Sequence, residues 1–398
     1  MIAAATETRP AGLERAAWLA LLAFIAALQL SIAAAQILLT LTAVLWLALI
    51  VRGRERIEVP GMFWPLAAYA GMTLVATLFS LDRGISLRDS KQLLLFTIVP
   101  IAYRLLPGRR SLTAVDVILT VGALAAIVGI VQYAVFDFDH LGQRVQGSLS
   151  HYMTYSGLLM LVACTAAARI LFRREDRMWA ALVMPALLVA LVLTMTRNAW
   201  IGVCAGMGLL FLMRDFRLIA LLPVGAALFI GFAPAHLTER LYSTFSLQDP
   251  SNQDRVAMLR YGVQMIRDHP LTGVGPDMVM EVYPDYRDEA AVRVQVPHLH
   301  NVPMHIAAER GLPALAVWLW FLAVLIRDLA RKSRSSAMPS LPTAGLAVVA
   351  AMLAAGMFEY NFGDSEFLML FLVIVTLPYA ADRLPRRTVP AAAGRHAA

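Results

Sequence analysis

Three of the eight histidines, His298, His300 and His305, fall within eight residues in the stretch PHLHNVPMHIAAERGLPAL. Imidazole titrates near neutrality, so the cluster offers a base for a hydroxyl group. The His-x-His-x4-His spacing matches no standard zinc pattern, and no metal is expected. Residue type alone leaves open which of the three rings acts, and whether Glu309 and Arg310 pair locally or orient an imidazole.

Arg197 is a second candidate. It lies in LTMTRNAWIG, between two apolar runs joined by almost no loop. A charge near a helix centre costs roughly 2.5 kcal/mol or more, so such a residue usually faces a cavity or a partner. With Arg255 it could hold the phosphates of an anionic lipid, because the guanidinium fork suits bidentate phosphate contact. Arg260 is a further candidate, and Arg88 and Lys91, in the mixed cluster Asp82–Lys91, could extend the phosphate site. Arg255 and Arg260 belong to DRVAMLRYGVQMIRD (Asp254–Asp268), whose Val256, Leu259, Val263 and Ile266 follow a helical spacing. The spacing predicts an amphipathic helix capped by Asp254, with those four residues on the apolar face that roofs a cavity or lies on a bilayer.

The elements that must carry these residues follow from composition. Of 398 residues 59% are hydrophobic and 15% charged, against about 45–50% and 25% in soluble proteins. Mean hydropathy is +0.67, and apolar runs approach the ~20 residues that cross a bilayer. These values predict an all-α polytopic membrane protein of about 12 transmembrane helices. They exclude a soluble enzyme, a nucleic-acid-binding domain or a disulfide scaffold. The two cysteines, Cys164 and Cys204, lie in apolar runs, and no removed signal peptide is evident.

The reading divides the chain into transmembrane helices with short loops over 1–232, a large outer loop over 233–303, further transmembrane helices over 304–382, and a disordered tail over 383–398. Single helices are expected over Leu93–Leu106, Leu218–Phe232 and Leu312–Ile326, among others. Alternating sides along the chain puts most of the 34 Lys and Arg, and both termini, on one face. That face is cytoplasmic by the positive-inside rule, so the long loop and the candidate chemistry point outward. Neither a Walker-type nor a dinucleotide glycine pattern occurs, and no nucleotide cofactor is expected.

In this setting the chain resembles the O-antigen ligase family, within the wider group of O-antigen ligases and polymerases. The resemblance rests on Arg255-Val-Ala-Met-Leu259, on His269-Pro270-Leu271-Thr272-Gly273-Val274-Gly275, on His300-Asn301 followed by Gly311, and on Thr196-Arg197 opening a span. Ala314 stands where the family pattern has Gly, Thr or Tyr. The resemblance implies a GT-C-like glycosyltransferase architecture in the bacterial inner membrane, with amphipathic helices in the periplasmic loop. It implies transfer of a glycan from undecaprenyl diphosphate to a sugar hydroxyl of the lipid A core, without metal or other cofactor, in lipopolysaccharide biosynthesis. The partners are those two lipid substrates and membrane lipids, with no nucleic acid. It casts His300 as base, Arg197 and Arg255 as diphosphate ligands, and Asn301 as a substrate-orienting amide. A polymerase using the same donor, or a lipid-linked oligosaccharide transporter, are the alternatives.

Overall fold

The computed structural model describes residues 11–383, apart from 174, 247, 289, 290 and 292. The tail expected over 383–398 lies, but for Arg383, outside the described residues. The chain runs through α1 (Ala11–Ala27), α2 (Ile32–Arg52), α3 (Phe63–Leu78), α4 (Arg83–Asp89), a 3-10 stretch over Ser90–Thr97, and α5 (Ile98–Leu105). Then come α6 (Arg110–Val135), a small hairpin pairing Asp139–His140 with Gln143–Arg144, α7 (Tyr152–Phe172), α8 (Arg177–Leu193) and α9 (Arg197–Arg214). A 3-10 turn over Phe216–Ala220 leads into α10 (Leu221–Phe232), α11 (Ala235–Tyr242), α12 (Pro250–Asp268) and α13 (Val279–Tyr286). The last helices are α14 (Val302–Ser335), α15 (Ser340–Gly356) and α16 (Ser365–Ala381).

Helix is the form an apolar segment must take where no water can satisfy its backbone. Every apolar segment marked out by the sequence is helical. Among the described residues α2, α6, α7 and α14 are long and apolar enough to cross a membrane, and α3, α8, Phe216–Phe232, α15 and α16 are shorter apolar helices. α7, α15 and α16 are the most enclosed, whereas α10 buries none of its side chains. α9 meets α15 through Gly202 and Gly206, where a Cβ would come within 2.9 Å of the Ala351 and Ala347 carbonyls. Small residues are what allow such close approach of apolar helices.

Charges sort to the two ends of this bundle. At one end Arg104 pairs with Glu55 at 2.8 Å and Arg110 with Glu14 at 3.0 Å, beside the pairs Arg383–Glu58, Arg169–Asp116 and Lys332–Asp382. These contacts join the start of α1, the 55–58 segment, the end of α5 and the start of α6 to Arg383, α7 to α6, and the end of α14 to the end of α16. Arg197, the 233–303 segment and the candidate histidines gather at the opposite end.

Three boundaries need correction. The Leu93–Leu106 segment is a 3-10 stretch followed by a short helix, and Leu218–Phe232 likewise begins in a 3-10 turn. The helix expected over Leu312–Ile326 is much longer, because the chain before it is already helical from Val302, with a break at Gly311. The long outer segment is structured: α12 and α13 close over their own core of Met258, Tyr261, Met265, Val279, Tyr283 and Leu299.

The expected apolar face of α12 is also corrected. The helix buries Asp254, Ala257, Met258, Tyr261, Gly262 and Met265, while Val256, Leu259 and Val263 are exposed. Two apolar stripes share this helix, and the one carrying the larger buried side chains, Met258, Tyr261 and Met265, packs on α13. Asp249 and not Asp254 caps it, accepting from Ser251 N at 3.0 Å.

The break in α14 explains two motifs. Pro313 has no N–H, so the Glu309 carbonyl loses its helical partner. Gly275 N donates to it at 2.9 Å, Val274 N donates to Ala308 O at 2.9 Å, and Leu312 N donates to Pro270 O at 2.8 Å. The exchange thus gives the Ala308 and Glu309 carbonyls and the Leu312 N–H partners outside the helix. It also brings two chains so close that a Cβ on Gly273 would overlap the Glu309 carbonyl and one on Gly311 the Leu271 carbonyl, both at positive φ (67° and 81°). The glycine motifs thus clamp the outer segment onto α14.

Candidate active site

The histidine segment reaches the site as an irregular stretch with bends, ending at His300, which adopts φ +48° immediately before α14. Asn301 caps that helix, accepting from Met304 N at 2.9 Å, and donates to Met357 O at 3.2 Å. Both ends of its amide hold the backbone, so its part is to fix His300 in place.

His300 Nδ1 lies 2.8 Å from Glu359 Oε2, and His298 Nε2 lies 3.2 Å from Glu359 Oε1. One buried carboxylate, from the turn between α15 and α16, therefore bridges two imidazoles whose rings meet edge to face at 4.3 Å. Burial opposes the charge of Glu359, but His300 and His298 outweigh it and hold the carboxyl down at about 2. Burial pushes His298 down to about 4 despite Glu359, so it is neutral near pH 7. The ligand atoms of His298, His300 and Glu359 lie within 4.8 Å of one another, close enough to hold a metal ion.

His305 does not join this group. It faces Glu309 at 3.2 Å, and Arg310 bonds Glu309 at 2.7 Å and Asp89 at 3.1 Å. These groups pair in the turns of α14 before the Gly311 break, and buried Glu309 Oε1 and Arg310 Nε keep no partner among the described residues.

Next to the imidazoles lies a cluster of arginines. Arg197 opens α9, is buried, and donates to Ser243 Oγ at 3.0 Å, Asn252 Oδ1 at 3.3 Å, Asp249 Oδ1 at 3.5 Å and Ser251 Oγ. It clamps the capped start of α12, which aims Arg255. Arg255 donates to the same Asn252 Oδ1 at 3.4 Å, and its buried Nε has no partner among the described residues. Arg240 reaches Asp249 Oδ2 at 3.7 Å, and Arg144 lies over the Tyr152 ring at 4.4 Å.

Mutual repulsion marks these groups as neighbours. Burial lowers Arg240 to about 10, with Arg197 and Arg144 adding to the shift. Burial likewise lowers Arg255, assisted by Arg197 and opposed by Glu359. Arg144 is lowered by burial and by Arg197. Of these four guanidinium groups Arg197 and Arg240 reach Asp249, while the described contacts give Arg144 and Arg255 no carboxylate, leaving a strong potential for an anion in a partly desolvated site.

Of the residues singled out in the sequence, the structure brings together Arg197, Arg255, His300 and Asn301. It does not bring Arg260, Arg88 or Lys91 to them. Arg260 is exposed on the far side of α12 and pairs with Asp288, Arg88 folds back on Gly84 O at 3.3 Å, and Lys91 is exposed near Asp89. Arg144, Arg240 and Glu359 were missed. Glu359 carried a usable signal, an acidic residue between two apolar runs, which is the same cost that pointed to Arg197.

Residues 180–319, which span α9, the arginine cluster and the histidine segment, match the family model described as O-antigen ligase. Over this stretch the chain is similar to the O-antigen ligase family. A comparison with curated proteins gives no match. The matched stretch contains Arg197, Arg240, Arg255, His298 and His300, whereas Arg144, in the hairpin before α7, and Glu359, in the turn after α15, lie outside it.

Proposed function

We propose that the chain is a membrane glycosyltransferase that moves a glycan from undecaprenyl diphosphate to a sugar hydroxyl of the lipid A core. In this reading its bundle crosses the bacterial inner membrane about 12 times, with both termini cytoplasmic and the site at the periplasmic face. The observation that carries it is the placing of an under-neutralised arginine cluster beside the His300–Glu359 pair. Such a cluster suits the leaving diphosphate, and the pair suits an attacking hydroxyl.

The proposed step needs no nucleotide. The acceptor oxygen attacks the anomeric carbon while its proton passes to His300 Nε2, the nitrogen not bonded to Glu359. Glu359 fixes that tautomer and stabilises the imidazolium. The bond from the anomeric carbon to the phosphate oxygen breaks, and undecaprenyl diphosphate leaves against Arg255, Arg240 and Arg144. Arg197 adds its charge and holds the start of α12. Attack opposite the leaving group inverts the centre.

The test is purified protein with lipid-linked glycan and lipid A core, without ATP. Appearance of the conjugate supports the ligase reading. Elongation of the lipid-linked glycan in its place makes the chain a polymerase, the reading that Ala314 favours.

A further inference from the structure

A cavity of about 220 Å3 opens between α7, α9, α15 and the 359–364 turn, with His298 and Glu359 in its wall. The arginine cluster and the base account for a diphosphate and a proton, but not for this space. Its polar lining includes Thr154, Asn198, Asn361 and Asp364, and its apolar lining includes Met160 and Phe367. Apolar walls carrying a few placed polar groups are the general character of a small-ligand site, and this one is below the ~300 Å3 of drug-sized pockets. It therefore has room for one compact polar unit and not for a lipid chain.

Two features define the chemistry of that unit. The first is unmet hydrogen bonding. Asn361 Nδ2 donates to Met352 O at 3.1 Å, which leaves its buried Oδ1 as an acceptor without a partner among the described residues, and His298 Nδ1 is likewise unpartnered. Both line the cavity wall, and buried polar groups of this kind call for a partner rich in hydroxyls. The second is charge. Glu359 and Asp364 line the cavity and no lysine or arginine does. A phosphate or carboxylate would be repelled, whereas a neutral or amino-bearing ring would not.

We infer that this cavity seats the terminal sugar of the acceptor, an uncharged or amino sugar, with Asp364, Asn361 and Asn198 binding its hydroxyls and one hydroxyl presented to the His298–Glu359–His300 group. The assignment to the acceptor rests on the glycosyltransferase reading above: the ring beside the base is the one that gives up a proton, and the donor's phosphates belong with the arginines. Asp364 is held for this task by Thr154, whose hydroxyl donates to Oδ2, while Oδ1 caps α16 by accepting from Phe367 N at 2.9 Å.

The test compares the full chain with Asp364→Asn, which keeps a capping side chain, and Ala355→Leu, which fills the cavity. Acceptors are oligosaccharides ending in a neutral hexose, a hexosamine or a uronic acid, and the donor is a lipid-diphosphate glycan. Each variant should raise the KM for neutral acceptor about tenfold, the loss of roughly one hydrogen bond to a charged group, while donor KM stays within about twofold. Asp364→Asn should also narrow the discrimination against the uronic acceptor. An unchanged acceptor KM in both variants, or a rise in donor KM in its place, overturns the assignment. Saturation-transfer NMR with the free oligosaccharides separates this from the wider reading. Binding to wild type that Ala355→Leu abolishes supports the cavity even if no transfer occurs, and equal binding by both sinks it.

Discussion

Glu359 holds His300 and His298 at once, with Oε2 2.8 Å from His300 Nδ1 and Oε1 3.2 Å from His298 Nε2. The two contacts are unequal in consequence. Burial keeps His298 neutral, and the shorter contact is the one to His300, the ring that the proposed step uses as base.

Glu359→Gln keeps the shape and removes the charge. We expect kcat to fall by about 10²-fold or more, since loss of a general base costs ~10²–10⁴, while binding of the lipid-diphosphate donor is retained. His300→Ala should fall at least as far and His298→Ala less. Single-turnover rates on donor-saturated protein check this, and normal turnover by His300→Ala would remove it as the base.

Arg255 has one hydrogen-bonded N–H among the described contacts, and Arg197 is engaged by four oxygen-bearing side chains. Arg255→Lys should therefore lose donor affinity chiefly through the missing fork. Arg197→Lys should also loosen α12, which proteolysis within 250–268 would reveal. Equal protection of the two variants would mean that Arg197 does not position the helix.

How much of this was legible beforehand depended on whether the signal was local. Helices appeared wherever apolar runs did, because in lipid the backbone leaves no other choice. Arg197, Arg255 and His300 each stood in a local context that betrayed a cost or a motif. Glu359 lies 59 residues beyond His300 and shows its role only when α15 and α16 bring it back. Arg144 and Arg240 stand in polar stretches of the sequence, where nothing local marks the burial that the fold imposes on them. The face of α12 was misjudged because Met258, Tyr261 and Met265 make a second apolar stripe that competes with Val256, Leu259 and Val263. Only the presence of α13 decides between them.

The clamp between the two glycine motifs predicts a stability effect remote from the chemistry. Gly311→Ala places a Cβ on the Leu271 carbonyl at φ +81°, so it should lower the melting temperature of detergent-solubilised protein and free the 269–299 segment to protease. Gly12→Ala, where a Cβ meets nothing within 4 Å, is the control and should be neutral. Equal melting of the two variants would count against the clamp.

Arg310 carries a different kind of load. It is buried and bonded to Glu309 and Asp89, and Glu309 also faces His305. Arg310→Ala strands two carboxylates, a loss of about 3–5 kcal/mol for breaking a buried pair. Thermal unfolding should show it, and Asp89→Asn in the Arg310→Ala background should recover part of the loss. Additive effects of the two substitutions would mean that no such coupling exists.

The same reasoning gives a sign to the pH dependence of stability. Burial holds His298 at about 4, below the ~6.5 of a free imidazole, so between those values the unfolded chain binds the proton and the folded chain does not. Stability is then lost as pH falls from about 6.5 towards 4. Glu359, held at about 2, acts in the same direction at lower pH: its ionised form is stabilised above the ordinary carboxylate range, and that contribution disappears as pH falls from about 4.5 towards 2. The melting temperature should therefore decline on acidification below about pH 6.5. In His298→Gln, which cannot titrate, the upper part of that decline should be shallower, whereas Glu359→Gln should flatten the lower part. A profile in which His298→Gln declines as steeply as wild type between pH ~6.5 and ~4 would mean that the buried imidazole is not the group responsible.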